Sequence, residues 1–453
     1  VSTNAVSRWL EESRFGAFHW LLFAIGLSTF AFDGYCLFIY GAAVPLLLQA
    51  FHIDLTQAGV IGSYAPIGAG LGALVFGSVA DRIGRKKTIV LCILIFCAGM
   101  TLTGLSGGPV SFSVFRVITG FGVGGCMPNM VALATEYVPL RARSTTVSMM
   151  LSGIQVGGIL SAVLGLWLFT PFGWRAVFLA GFVPVLFLAV YLKYLPESPA
   201  QLIRRDHLDQ LRAILRRVRP GEPVPDAAQL RSESDPAPPA TAAPITAIFR
   251  DGRGLSTVMF GMVYFLNLYT IYGFTIWLPK LVMNQGYSLA SGLAGLLTVS
   301  IVSIIGSYVA GVIADRVLGS RRTLVIFYVL AFAAIVATGF ATQFWALMVC
   351  VSLGGAGANG AQNCLNAYAA LYYPPAMRST AAGFCYGVGR LGSILGPAIT
   401  GFLMSLHLNY HLTLLAIALP GLIPAAAIFA IREKHDFMRQ LVSQRLALKA
   451  TNG

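Results

Sequence analysis

The chain has 453 residues, of which 57% are hydrophobic and only 11% charged, with a mean hydropathy of +0.75. Soluble proteins carry about a quarter charged residues, so the composition excludes a soluble enzyme or scaffold and calls for a membrane protein with many spans. The formal charge of +14 does not indicate a nucleic-acid partner, because the basic residues recur in alternate loops instead of forming one face.

Residues 1–18 are polar and mixed in charge, as in RWLEESRF, and a full-length apolar stretch follows, so a cleaved leader is not expected. A hydrocarbon core of about 30 Å takes about 20 apolar residues of helix. Six such stretches come first, at 19–48, 57–79, 88–106, 110–137, 144–168 and 174–195. The first contains Asp33, in FAFDGYCLFIYGA, and the fourth contains Arg116. A charge facing lipid is costly, so both should face the bundle interior or a water-filled cavity.

Polar chain follows over 196–253. Its first part, ESPAQLIRRDHLDQLRAILRRV, has helical spacing and should lie along the cytoplasmic face. Its second part, PGEPVPDAAQLRSESDPAPPATAAP, is rich in Pro and Ala and reads as a flexible linker. Six further spans are predicted at 255–280, 290–314, 323–341, 344–371, 379–404 and 410–431, the eleventh carrying Arg390. The expected organisation is a helical domain over 1–195, the linker, a second helical domain over 254–431, and a cytoplasmic tail over 432–453.

The basic residues orient this arrangement. Arg82, Arg85, Lys86 and Lys87 follow the second span, Arg141 and Arg143 the fourth, and a group from Arg204 to Arg219 the sixth. Arg316, Arg321 and Arg322 follow the eighth, Arg378 the tenth, and Arg432 and Lys434 the last, while the intervening loops hold little beyond Arg175 and Lys280. That distribution places both termini in the cytoplasm. All seven cysteines lie within predicted spans without metal-type spacing, so reduced, buried thiols are expected and no metal or cofactor.

The two sets of spans are related. GSVADRIGRKKT (77–88) recurs as GVIADRVLGSRRT (311–323), YVPLRARST (137–145) as YYPPAMRST (372–380), and GVGGCMPN (122–129) more weakly as GANGAQNC (357–364). The offsets are 234 or 235 each time. Internal repeats of this kind belong to transporters that bind substrate near the bilayer midplane. The G-x-x-x-D-R-x-G-R-[KR] loop after the second span, its degenerate copy after the eighth and the six-plus-six layout resemble the major facilitator superfamily over essentially the whole chain. The resemblance implies an all-α polytopic membrane protein with twelve transmembrane helices in two pseudo-symmetric six-helix bundles.

Three ionisable residues lie well inside the spans: Asp33, Arg116 and Arg390. At about 1.5 Å of rise per residue, Asp33 and Arg390 lie near the midplane and Arg116 nearer the opposite face. Arginine cannot relieve burial by losing its proton. If Asp33 interacts with Arg116, Arg390 is left for a substrate anion, and its fork matches a carboxylate. Pairing of Arg390 with backbone carbonyls, or packing alone for Arg116, are the competing readings. Gln155 lies one repeat offset before Arg390, and the tenth span presents Asn359, Gln362, Asn363 and Asn366. The seventh presents Tyr264, Asn267, Tyr269 and Tyr272. Such faces suit an aromatic ring with polar substituents, although asparagines in membrane helices also serve as interhelical hydrogen bonds.

Within the superfamily, sugar porters share PESP (196–199) and Glu136-x6-Arg143, but Leu371 stands where the second half should carry the matching acid. Drug/proton antiporters carry Gly-Pro in the fifth span, where this chain has none. DGYCLFIYGAAVP, RVITGFGVGGCMPNMVALATEYVP, TIWLPKLVMNQGYSLASG and GRLGSILGP are instead similar to the aromatic acid:proton symporter family. That resemblance implies a monomeric secondary transporter of the bacterial inner membrane that takes up a small aromatic carboxylate with protons by alternating access. It implies proton coupling or substrate contact for Asp33 beside Tyr35, and binding or gating for Arg116 and Arg390. It also implies a cytoplasmic gate of Asp81, Arg82, Arg85, Glu136, Arg143, Asp315, Arg316 and Arg378. The family usually shows two acids in the first span, as D-G-[FY]-D, and here the second is Cys36. A thiol, with a reference pKa of about 8.5 raised further by burial, cannot carry protons as a carboxylate does. Either Asp33 titrates alone or coupling is weakened. Another organic anion or a zwitterion is the alternative substrate. A channel or membrane enzyme fits poorly, since the histidines lie outside the spans or at their ends.

Overall fold

The computed structural model describes residues 5–222, 224, 244–374, 377–406 and 409–432, and these are helix, turn or loop with no strand among them. The Pro- and Ala-rich part of the linker over 225–243 and the tail beyond 432 lie outside the described residues.

A short α1 (Ala5–Glu11) precedes four long apolar helices: α2 (Ala17–Ala50), α3 (Leu55–Ile83), α4 (Arg85–Gly104) and α5 (Pro109–Tyr137). Then come α6 (Leu140–Leu151), α7 (Gly153–Leu179), a 3-10 stretch over Ala180–Phe187 and α8 (Leu188–Tyr194). The expected fifth and sixth spans meet at Gly173, which leaves the helical conformation with φ 71° and ψ −174° and redirects the chain between them. The short polar helices α9 (Pro199–Arg204) and α10 (Leu208–Val218) follow.

The remaining elements are α11 (Gly254–Asn284), α12 (Leu289–Ile313), α13 (Ser320–Ala337), α14 (Phe344–Tyr372), α15 (Arg378–Ser405) and α16 (Tyr410–Ala430). Among the described residues, ten helical stretches are long and apolar enough to cross a membrane, the run Leu140–Tyr194 counting once. The 28-residue α15 is not one of them, because its glycines and two arginines dilute the hydropathy.

Contacts divide the chain into two compact units, Val1–Leu46 with Tyr64–Pro238, and Leu47–Ser63 with Pro239–Gly453. In the first unit α2 packs on α7 with almost no side chain intervening. A Cβ on Gly157 would stand 2.2 Å from the carbonyl oxygen of Ala31, so only glycine fits. Alongside, Ser161 donates to the Tyr35 carbonyl.

The second unit repeats this contact between α11 and α15. Gly392, 235 positions after Gly157, holds its α-carbon against the Phe265 carbonyl, where a Cβ would stand at 1.9 Å. The sequence repeat is therefore also a repeat of backbone packing within each unit. The interior of the second unit is strongly aromatic, with Phe260, Tyr264, Tyr328, Tyr372 and Tyr373 buried together. Trp277 is fully buried and its Nε1 donates to the carbonyl of Pro397, inside α15, at 3.0 Å.

Candidate functional site

In the first unit the expected site residues Asp33 and Arg116 lie on α2 and α5. Arg116 is only 1% exposed, and a guanidinium so placed must find acceptors. Its Nη1 and Nη2 donate to the Cys36 carbonyl at 3.2 and 3.1 Å, and Nη1 lies 3.4 Å from the Cys36 sulfur. Its central carbon sits 5.2 Å from the centre of the Tyr40 ring, a cation–π contact. The residue that replaces the family's second acid is thus the one Arg116 grips.

Asp33, one turn earlier on α2, is partly exposed in a small pocket with Thr29, Phe32, Ile93, Phe96, Val123 and Cys126. Tyr35 is buried and its hydroxyl donates to the Val177 carbonyl, so it fastens α2 to α7. Gln155 is buried on α7.

In the second unit, amide side chains of α11 and α14 form a chain of hydrogen bonds. Asn267 Nδ2 donates to Gln362 Oε1 at 2.8 Å, and Gln362 Nε2 donates to Asn366 Oδ1 at 2.9 Å. The Tyr264 hydroxyl donates to the same Asn366 oxygen at 2.9 Å. The i,i+3 and i,i+4 spacings on the two helices make this alignment possible. Asn359, a turn before Gln362, turns instead to the Gly355 carbonyl and Ser303 Oγ. Asn363 is partly exposed, and Tyr272 packs against Ile271, Ala331 and Ala358.

Arg390 on α15 differs from Arg116. It is partly exposed, and among the described residues its guanidinium makes no hydrogen bond or ion pair, its carbonyl alone accepting from Ser393. Tyr386, one turn before it, meets Tyr264 edge-on with ring centres 5.4 Å apart. Through Tyr264 the Tyr386 ring, one turn from Arg390 on α15, adjoins the amide network. A cation with open donors, aromatic edges and a polar amide chain can together recognise a planar anion.

At the basic end of the first unit, Arg85 pairs with Glu136 Oε1 and Arg143 with Glu11 at 3.5 Å. Asp81 and Arg82 are exposed, and their carbonyls accept from Arg204 and Arg205. In the second unit Asp315 and Arg316 are exposed on a π-helical turn, and Arg378 Nε donates to the Tyr373 carbonyl at 3.1 Å.

Sequence reasoning missed Glu197 and Glu11. Glu197 Oε1 accepts from the amides of Arg85 and Lys86 at 2.7 and 3.2 Å, capping α4 from 112 residues away. The signal was present. Gly84, at φ 101°, offers α4 no capping side chain, and three cations follow at the positive end of the helix. Such a start requires an acid from elsewhere.

The Major Facilitator Superfamily model matches residues 21–317 and 295–445. The chain is 36% identical over 446 residues to the "Benzoate transport protein" of Acinetobacter baylyi, covering 97% of this chain and 95% of that one. It is 32% identical to the "Gallate transporter" of Pseudomonas putida, with 94% of each covered. To the "4-hydroxybenzoate transporter PcaK" of Acinetobacter baylyi it is 30% identical, with 93% and 92% covered. Among solved structures, the xylose transporter XylE from E. coli, in a partially occluded inward-open conformation, superposes with a TM-score of 0.72 at 16% identity, covering 91% of this chain and 99% of that one. The likeness to that structure concerns the fold.

Proposed function

Because this chain belongs to the major facilitator superfamily, we propose that it carries a small aromatic carboxylate across a bacterial inner membrane together with a proton. It is a multi-pass membrane transporter, not an enzyme. Relatives named for benzoate, gallate and 4-hydroxybenzoate support an aromatic acid as the substrate class. The observation that carries the reading is Arg390, a partly exposed guanidinium with open donors beside the Tyr386–Tyr264 pair.

In this reading Arg390 takes the carboxylate in a bidentate grip. Tyr264, Asn267, Gln362 and Asn366 set the polarity beside the ring, with Asn359, Asn363, Tyr272 and Gln155 as further candidates. Asp33 carries the proton, while Arg116, held by Cys36 and Tyr40, keeps a positive charge near it. The proton then offsets the substrate's charge while both cross. Arg85–Glu136 and Arg143–Glu11 hold the basic ends of the first unit's helices, and Asp81, Arg82, Asp315, Arg316 and Arg378 complete the cytoplasmic gate. The positive-inside distribution supports cytoplasmic termini.

Uptake of labelled benzoate, 4-hydroxybenzoate and gallate into proteoliposomes, with and without an inward proton gradient, tests the reading. Accumulation that a protonophore abolishes is expected for at least one of them. Uptake equal with and without the gradient overturns the coupling. Transport of aliphatic dicarboxylates in preference to every aromatic acid overturns the substrate class.

A further inference from the structure

The first unit holds a second concave feature, apart from Asp33 and Arg116, at the basic ends of its helices. It is a cavity of ≈ 570 Å³ bounded by the start of α4, the end of α8 and the α9–α10 segment. Five cations line it: Lys86 and Lys87 from α4, Lys193 from α8, Arg205 just after α9, and Arg217 from α10. Glu197 is the one carboxylate among its described lining residues, and its Oε1 already accepts from the amides of Arg85, Lys86 and Ser198. The N-terminus of α4 adds its own partial positive charge. The electrostatics favour an anion.

The outer wall is of a different kind. Leu91 and Leu94 of α4 and Leu192 of α8 also line the cavity, and they are 39%, 41% and 53% exposed. Two of the lining elements, α4 and α8, belong to membrane-crossing stretches, so the basic floor runs on into a surface that faces hydrocarbon. Beside it, α10 buries Leu208, Leu211, Leu215 and Val218 on one stripe and turns Arg216 and Arg217 outward. The apolar stripe is taken up by the protein itself, which leaves the two arginines on the outer face of the segment. A free anion would use the cations and leave the leucines bare. A phospholipid uses both.

We propose that this cavity binds an anionic phospholipid of the cytoplasmic leaflet. The phosphodiester lies among Lys86, Lys87, Lys193, Arg205 and Arg217, and the acyl chains run along Leu91, Leu94 and Leu192. The leaflet follows from the orientation proposed above, whereas the site itself does not depend on which acid is transported. Bound there, the lipid bridges α4, α8 and α10 and neutralises charges that otherwise repel one another across the cavity.

Native mass spectrometry of the full-length protein in an equimolar mixture of phosphatidylcholine and phosphatidylglycerol tests this. The wild type is expected to retain phosphatidylglycerol in preference. A Lys87→Gln, Lys193→Gln, Arg217→Gln triple variant, whose changes are all at exposed positions, should lose that preference by about tenfold or more. Leu94→Gln keeps every cation and should weaken lipid retention while leaving inorganic phosphate binding unchanged. Equal phosphatidylglycerol retention by wild type and triple variant overturns the site. Displacement of the lipid by millimolar inorganic phosphate or glycerol 3-phosphate, with Leu94→Gln silent, overturns the lipid as its occupant and assigns the cavity to a soluble phosphate.

Discussion

Arg116 on α5 donates two hydrogen bonds to the carbonyl oxygen of Cys36 on α2 and reaches within 3.4 Å of its sulfur. A carbonyl and a thiol are weak partners for a buried cation. The aromatic acid symporter pattern places a carboxylate at this position, and the geometry shows what it would touch. Cys36→Asp should therefore form a charge-assisted bond with Arg116. An unfolding midpoint raised by a few degrees in purified protein is expected, with Cys36→Ser close to the wild type. A lowered midpoint for Cys36→Asp would mean that desolvation of the carboxylate outweighs the pairing.

Removing the open guanidinium of the second unit should remove substrate recognition. Hydrogen bonds to a charged partner are worth about 1.5–3 kcal/mol each, so losing a bidentate pair in Arg390→Ala should weaken benzoate binding by about a hundredfold or more. Arg390→Lys should also bind poorly, because a point charge does not reproduce the fork. Calorimetric titration of folded variants checks this, and unchanged affinity in either would take the carboxylate contact away from Arg390.

Asp33→Asn should abolish uphill accumulation driven by a proton gradient. Exchange of labelled for unlabelled substrate across the same membrane should survive. Cys36 cannot take over, since a thiol with a reference pKa of about 8.5 is a poor proton carrier near neutral pH. A variant that still concentrates substrate under the gradient would make Asp33 a structural hydrogen-bonding residue.

The amide network should behave as a unit. Gln362→Leu leaves the Asn267 donor without its acceptor and takes one donor from Asn366. A cost of about 1–3 kcal/mol is expected for the unsatisfied buried group, and Asn267→Leu added to it should cost little more. Additive losses in this double-mutant cycle would show that the residues act separately.

Glu197→Ala should destabilise the start of α4 by about 1 kcal/mol or more, the usual worth of a cap. Glu197→Gln keeps an oxygen acceptor and should cost less. Amide hydrogen exchange over residues 85–88 reads this locally, and unchanged protection there would show that the capping contact carries no weight.

Much of this was legible in the sequence, because membrane spans announce themselves by length and hydropathy. The helix limits follow the expected spans closely, and the offset of 235 that joined the motifs also joins Gly157 to Gly392. What the sequence could not supply was the direction in which polar groups point. Arg116 donates to the Cys36 carbonyl, and carbonyls leave no trace in a residue pattern. Glu197 escaped for a similar reason. Its role depends on a contact across 112 residues of chain, while its local setting, PESP, resembles a loop signature. The turn at Gly173 falls in the break expected between the spans 144–168 and 174–195.

The glycine seams between α2 and α7 and between α11 and α15 also divide the chain into editable and uneditable parts. Where two backbones touch directly, no rotamer can adjust and no smaller residue exists, so a library of variants has nothing to sample at Gly157 or Gly392. At Gln362, Asn366 and Tyr386 the neighbours are side chains, which can repack around a newcomer. Attempts to redirect the transporter toward other ring substituents should therefore randomise the amide and tyrosine positions and leave the seams untouched. The same reasoning favours recombination with relatives by exchanging α2 together with α7, or α11 together with α15, as pairs.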